Sequence, residues 1–158
     1  MMPAEAHKNL EKYAGKFDVE ISMVMNDGAA PVVIMVKSTN KMILGGRFLE
    51  MTQMGDMMGM AYQAISTMGF NNTDKNFNLT TITNMGTGTL YVTGPHDPLT
   101  NTAELRGILS NPVNEQMIEV RQVFHFLNED QMMIENFDKE EGSEERKTIE
   151  YKYARIKK

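Results

Sequence analysis

The stretch KFDVEISMVMN, residues 16–26, carries the strongest structural signal in the chain. Its apolar side chains recur at every second position and alternate with polar ones, with Val24 as the single interruption. A period of two is that of a β-strand with one buried and one solvated face. The apolar members are Phe17, Val19, Ile21, Met23 and Met25. Such a strand must cover its apolar face, so the stretch predicts a protein built from antiparallel β-sheet.

A short helix is predicted before this strand, over residues 3–14. The apolar positions that recur there at helical spacing are Ala6, Leu10, Tyr13 and Ala14. Pro3 suits a first helical turn because its missing N–H has no helical partner there. Gly15 can end the helix in a left-handed conformation.

After residue 26 the chain continues as extended segments separated by clusters of Gly, Pro, Asn and Asp. The segments are 32–44, 47–54, 60–70, 77–83, 89–93, 102–109, 116–127, 131–137 and 148–156. A turn is predicted around Gly55, Asp56 and Gly59, and an irregular loop over residues 95–98. About nine or ten short strands without a second helix are typical of a barrel or sandwich. Closure removes exposed edges, so we expect one domain, 1–158, folded as a mainly β, up-and-down antiparallel barrel.

Composition excludes several classes of protein. The chain has no Cys, which excludes disulfides and thiolate metal sites. Its net charge is -5, and its basic residues are dispersed except at Lys157 and Lys158, which argues against nucleic acid as a partner. No run approaches the ~18 apolar residues that span a bilayer, and the N-terminus lacks the order of a signal peptide. We expect a soluble protein without a membrane span, cytoplasmic, or periplasmic if a signal peptide was removed.

The three histidines, His7, His96 and His125, do not stand in a pattern that sets metal ligands side by side. The best context is that of His96, where a rigid loop at a barrel mouth would present imidazole and carboxylate together. An ordinary surface or hydrogen-bonded histidine is the alternative for each. No nucleophile elbow, phosphate loop or dinucleotide fingerprint is present, and no cofactor is expected. An enzyme acting on a small carbonyl or ester would need His125 or His96 as its base.

Methionine is frequent, with 16 in the chain. The cluster consists of Met51, Met54, Met57, Met58, Met60 and Met68. Thioethers at this spacing suit Cu(I), whereas Met also fills irregular apolar cavities, which is the interpretation that we favour. The hairpin that carries these methionines also suits an exposed apolar interaction surface or a contact between copies in a homo-oligomer.

Polar residues fall on faces that should point inward. In the last segment the face that carries Ile149, Tyr151 and Tyr153 also carries Arg155. A buried guanidinium requires a partner, which we expect to be Glu135 or an anionic group of a ligand. Further candidates for an interior polar patch are Arg47, Tyr62 and Arg121.

The alternative is that these residues are charges at the rim or on the outer surface. It applies above all to Arg121, because the apolar residues Ile118, Val120, Phe124 and Phe126 indicate that its opposite face is the core.

Read together, the segments resemble a bacterial family of unknown function, the domain of unknown function fifteen seventy-nine. The matching stretches are His7-x-x-Leu10, Gly15-Lys16-Phe17, residues 44–49, 57–60, 68–70 and 84–88, and Tyr153-Ala154-Arg155. The chain departs from the family's usual residues at Phe17, where a Trp is usual, and at Thr81 and Thr83, where a Trp and an Asp are usual. The resemblance implies a calycin-like or lipocalin-like barrel that encloses a small apolar molecule.

The leading hypothesis is a binding module for a small hydrophobic or amphipathic ligand. The candidate ligand-binding residues are Arg47, Tyr62, Arg121, Glu135, Tyr153 and Arg155, with no catalytic residue and no metal ligand assigned. The alternatives are an enzyme that uses the same cavity and an interaction module that uses the Met-rich hairpin.

Overall fold

The computed structural model describes residues 1–111 and 113–157. Pro112, which the sequence places in a turn with Asn111, and Lys158 of the basic tail lie outside the described residues. The described chain forms one helix and ten strands. They are α1 (Glu5–Glu11), β1 (Gly15–Met23), β2 (Val32–Ile43), β3 (Phe48–Met57), β4 (Met60–Asn71), β5 (Asn76–Thr83), β6 (Leu90–Asp97), β7 (Thr102–Ser110), β8 (Met117–Asn128), β9 (Gln131–Glu140) and β10 (Arg146–Arg155).

The strands form a closed, up-and-down antiparallel barrel. Each strand pairs with its neighbours in sequence, and β1 pairs with β10 from Phe17↔Arg155 to Met23↔Ile149. Pairing of the first and last strands satisfies the edge groups that an open sheet would expose. The predicted fold class is therefore confirmed. We call the end that carries α1 the lower end, and the end that carries the β1–β2, β3–β4 and β5–β6 connections the upper end.

Side-chain alternation is also confirmed. Phe17, Val19 and Ile21 are almost fully buried in β1, and Tyr153 is buried in β10. Aromatic rings fill the lower half of the barrel, with centroids 5.1 Å apart for Phe70 and Phe77 and 5.8 Å apart for Phe77 and Phe126. Leu10 of α1 is 2% exposed and closes this end, a burial that stabilises by about 1.5–3 kcal/mol.

The helix is shorter than the sequence predicts. Pro3 precedes it, and the imidazole Nδ1 of His7 accepts a hydrogen bond from the Ala4 N–H at 2.9 Å, which satisfies a free donor where the helix begins. Gly15 does not end the helix but opens β1 with φ 125°. A Cβ at Gly15 would lie 2.5 Å from Nη1 of Arg155, so both the backbone angle and the space require glycine.

Two turns differ from the prediction. β3 continues through Gly55 and Asp56, and the β3–β4 turn consists of Met58 and Gly59, with φ of 51° and 87°. Two successive positive φ angles make a tight hairpin turn whose twist matches the strands. Gly55 lies within β3 and pairs with Val36 of β2, and glycine suits this position because a Cβ there would lie 2.6 Å from Val36 Cγ1.

Residues 95–98, predicted as an irregular loop, belong to β6 as far as Asp97. Pro95 pairs with Asn76 of β5, and His96 pairs with Ala103 of β7. Gly94 permits this close approach, because a Cβ at that position would lie 1.9 Å from the Glu104 carbonyl oxygen. Within the described ranges, no helix has both the length and the apolar character needed to cross a membrane.

Candidate functional site

The upper half of the barrel encloses a cavity of about 510 Å³, which we call the upper cavity. Loop residues 85–88 of the β5–β6 connection border it. Its apolar wall includes Met51, Ala64, Leu79, Val120, Ile134 and Ile149. Its polar lining includes Gln53, Tyr62, Gln122, Asn136, Asp138, Tyr151 and Tyr153. Most of the cavity surface is thus apolar, and several hydrogen-bonding groups interrupt it, a combination that is usual in small-molecule sites.

Tyr62 and Tyr153, both predicted as site residues, lie in this wall. Gln53 joins them, because its Nε2 donates to the Tyr153 hydroxyl and its Oε1 accepts from the Tyr62 hydroxyl at 3.5 Å. Burial raises the pKa of both phenols. Each therefore remains a neutral hydrogen-bonding group at physiological pH.

A second polar chain crosses from β8 to β9. Gln122 Nε2 donates to Asn136 Oδ1 at 3.0 Å, and Asn136 Nδ2 donates to Asp138 Oδ1 at 2.9 Å and to the Thr148 hydroxyl at 2.8 Å. A carboxylate only accepts, so Asp138 fixes the orientation of the Asn136 amide, which in turn fixes that of Gln122. The side-chain oxygen of Gln122, Oε1, is buried without a hydrogen-bond partner among the described residues.

Among the described residues that line the upper cavity, Asp138 is the one charged residue, and none is Lys or Arg. Burial raises the pKa of this carboxyl, while the Asn136 and Thr148 hydrogen bonds and the Arg146 charge act in the opposite direction. When the Asp138 carboxyl is ionised, the upper cavity favours positive or neutral groups over negative ones.

Arg155 points toward the lower end and does not line the upper cavity. Its guanidinium pairs with Asp130 at 3.1 Å, donates to the Ala14 carbonyl at 2.6 Å and lies 4.6 Å above the Phe17 ring. The prediction that Glu135 is the partner of Arg155 is wrong. Asp130 takes that place because the β8–β9 turn lies beside the end of β10. This arginine binds the lower end of the barrel together.

Glu135 faces outward, since the alternation of β9 turns its even-numbered neighbours inward. Its carboxylate contacts His125 Nε2 at 2.6 Å and Lys147 Nζ at 2.8 Å. The Lys147 hydrogen bond is the larger of the two that lower the pKa of Glu135. His125 therefore belongs to a cluster with Glu135 and Lys147 on the outside of the barrel and does not line the upper cavity.

The other two predicted arginines also lie outside the upper cavity. Arg121 pairs with Glu145 at 2.7 Å on the outer surface and stacks 4.1 Å above the Phe137 ring. Arg47 donates to the carbonyls of Leu44 and Met1 at the lower end, at 3.2 and 2.9 Å. Of the six predicted residues, the upper cavity brings together only Tyr62 and Tyr153.

The prediction missed the amides and the acid of the lining. A signal was present in β8, where Gln122 interrupts the inward series of Ile118, Val120, Phe124 and Phe126. Asn136 and Asp138 continue the inward face of Met132 and Ile134 in β9. A polar residue at a position that the period assigns to the interior marks such a site.

A second cavity, of about 470 Å³, lies at the lower end between α1 and the strand ends. His96 lines it, and its Nε2 contacts Asn101 Oδ1 at 2.9 Å. Asn101 has φ 51° in the β6–β7 turn and donates to the Phe126 carbonyl at 2.8 Å. The His96–Asn101 hydrogen bond therefore holds Asn101 in its left-handed turn conformation. The partner of the imidazole is an amide oxygen, which cannot relay a proton.

The methionine cluster divides between core and surface. Met51, Met57 and Met68 are buried, and Met51 lines the upper cavity. The other three members, Met54, Met58 and Met60, are each more than half exposed. Alternation along β3 explains the exposure of Met54, whereas Met58 and Met60 are exposed because they lie at or beside the β3–β4 turn, at the upper rim of the barrel.

Comparison with known proteins gives a family without an assigned activity. A search of curated proteins finds no significant match. The family model described as "Protein of unknown function (DUF1579)" matches residues 2–155, nearly the whole chain. This match agrees with the resemblance carried by the sequence motifs and with the closed barrel, and the chain belongs to the DUF1579 family.

Proposed function

We propose that this protein is a binding module that takes a small, largely apolar molecule into the upper cavity. The observation that carries the proposal is the cavity itself, whose volume of about 510 Å³ lies within the usual range of ~300–1,000 Å³ for ligand sites. Its walls combine aliphatic side chains with a small number of polar groups, so the apolar body of a ligand would supply affinity and its polar end orientation.

The aromatic packing in the lower half supports this proposal because it supplies a floor for the upper cavity. Met51 and Leu79 are 1% and 3% exposed and line the base of the cavity above the aromatic packing. A preformed cavity does not have to be opened when the ligand binds, so less of the interaction energy is lost to ordering the protein.

Two variants of β4 test the proposal with a neutral fluorescent probe, Nile red. Ala64 is buried and lines the upper cavity, whereas Ala61 is exposed on the same strand. We expect wild type and Ala61→Phe to bind Nile red with the same affinity, and Ala64→Phe to bind at least about tenfold more weakly because its ring occupies the cavity. Circular dichroism and thermal melting establish that each variant is folded.

If Ala64→Phe does not fold, Thr83→Phe replaces it, because Thr83 pairs with Ala64 in the β4–β5 register and also lines the cavity. Equal Nile red affinity for the cavity variant and Ala61→Phe would contradict the proposal. Native mass spectrometry of freshly purified protein adds a direct measurement, and a co-purified small molecule that is lost in the cavity variant would support it.

A further inference from the structure

The charge in the lining of the upper cavity is opposite in sign to that of the arginines predicted to bind the ligand. The predicted ligand-binding arginines, Arg47, Arg121 and Arg155, all lie outside it, and Asp138 is the charged residue among the described residues of the lining. We propose that the ligand of the upper cavity is an organic cation, an amine with an apolar body, whose ammonium group lies beside Asp138. This inference rests on the proposed binding function and specifies its ligand class.

The first support is that Asp138 lacks a basic partner. Among the described residues it forms no salt bridge, and Arg146, which lies opposite it in the β9–β10 register, pairs instead with Asp27 at 3.1 Å. A carboxylate in a partly dry wall is stabilised by an opposite charge or by hydrogen-bond donors. Asn136 and Thr148 supply hydrogen bonds but no charge, and a ligand ammonium would supply the opposite charge.

The second support is the buried acceptor of Gln122. Its side chain is one of the most buried polar groups, at 5% exposed, and Oε1 has no partner among the described residues. The hydrogen-bond chain through Asn136 leaves the oxygen, not the nitrogen, unmatched. An unmatched acceptor calls for a donor, which an ammonium group has and a carboxylate lacks.

The third support is the aromatic part of the lining. Tyr62, Tyr151 and Tyr153 all line the upper cavity, and burial raises the pKa of each phenol. Neutral phenol rings attract organic cations to their faces, an attraction that grows as the site is desolvated. A carboxylate ligand would add a second negative charge near Asp138 and would find no Lys or Arg among the described residues of the wall.

Three probes that share one alkyl chain test the inference by isothermal titration calorimetry at neutral pH: octylamine, octan-1-ol and octanoate. We expect octylamine to bind wild type at least about tenfold more tightly than octan-1-ol, and octanoate to bind most weakly. Asp138→Asn keeps an oxygen that can accept from Asn136 and removes the charge. In this variant we expect octylamine and octan-1-ol to bind with equal affinity.

Glu119→Gln is the matched control, because it removes one negative charge from the exposed face of β8 without touching the cavity. It should leave the preference for octylamine unchanged. Octanoate binding as tightly as octylamine, or a preference that survives in Asp138→Asn, would overturn the ligand class. Nile red binding that still depends on Ala64 would then show that the binding function itself stands. If none of the probes, including Nile red, binds in the cavity, both proposals fail.

Discussion

Gln122 on β8 donates from Nε2 to Oδ1 of Asn136 on β9 at 3.0 Å, and this bond determines which ends of the two amides remain for other partners. Both residues are 5% exposed, so neither amide can exchange its protein partner for bulk solvent. A chain of this kind is stable when every group is matched and costly when one partner is removed.

Replacing Asn136 by Ala should therefore destabilise the barrel. The variant removes an acceptor from Gln122 and donors from both Asp138 and Thr148. We expect the free energy of unfolding to fall by about 2–3 kcal/mol in urea titration. Gln63→Ala, an exposed amide on β4, is the control and should change it by less than about 0.5 kcal/mol. Equal stability of the two variants would contradict this account.

Gly94→Ala tests the close approach of β6 and β7. The added Cβ would lie 1.9 Å from the Glu104 carbonyl oxygen, and a backbone atom cannot move aside as a side-chain tip can. We expect a loss of at least about 2 kcal/mol in the free energy of unfolding. Gly86→Ala is the matched control, because nothing lies within 4 Å of its Cβ position. A melting temperature for Gly94→Ala equal to that of the control would refute the strand assignment of residues 94–97.

Arg155→Lys should destabilise the lower end without affecting the upper cavity. A guanidinium reaches Asp130, the Ala14 carbonyl and the Phe17 ring at once, and an ammonium cannot reproduce that fork. We expect about 2 kcal/mol less stability in chemical denaturation, with Nile red affinity within about twofold of wild type for the folded variant. A large loss of Nile red affinity in a folded Arg155→Lys protein would show that Arg155 contributes to ligand binding.

Alkaline pH should unfold the protein through its buried phenols. Burial raises the pKa of Tyr13 to about 12 and also raises that of Tyr62, Tyr151 and Tyr153. Because the folded pKa lies above the unfolded value of ~10, the stabilisation is complete below pH ~10 and is lost as the pH rises toward the folded values. We expect the free energy of unfolding to decrease steadily between pH 10 and 12.

Phenolate absorbance near 295 nm measures this directly. In the folded protein these four phenols should ionise at higher pH than they do in the urea-unfolded chain. Ionisation with identical midpoints in both states would show that burial does not protect them. A Tyr62→Phe variant should lose part of the difference while retaining the remainder.

Much of the architecture followed from local patterns. Alternation in residues 16–26 predicts a strand whose Phe17, Val19 and Ile21 are buried, and all three are. The same period places Tyr153 inside and separates Arg121 from the apolar face of β8. These predictions succeed because the two faces of a strand are a property of neighbouring residues alone.

The partners of the polar residues required the closed barrel. Arg155 meets Asp130 because the β8–β9 turn reaches the end of β10, and Glu135 meets Lys147 and His125 because the outer faces of three adjacent strands coincide. Strand register joins residues that are far apart in sequence, and a period carries no information about register.

Alternation along the chain was thus enough to specify a mainly β protein, its dry faces and its tendency to close into a barrel. Tertiary structure decided the chemistry of the interior, in which Asp138 and Gln122 line the cavity while the arginines stay outside. The physical reason is that each strand's own sequence determines which of its faces is buried, whereas several strands together contribute the charges and the unmatched hydrogen-bonding groups of a cavity. These groups meet only when the strands pair in their final register.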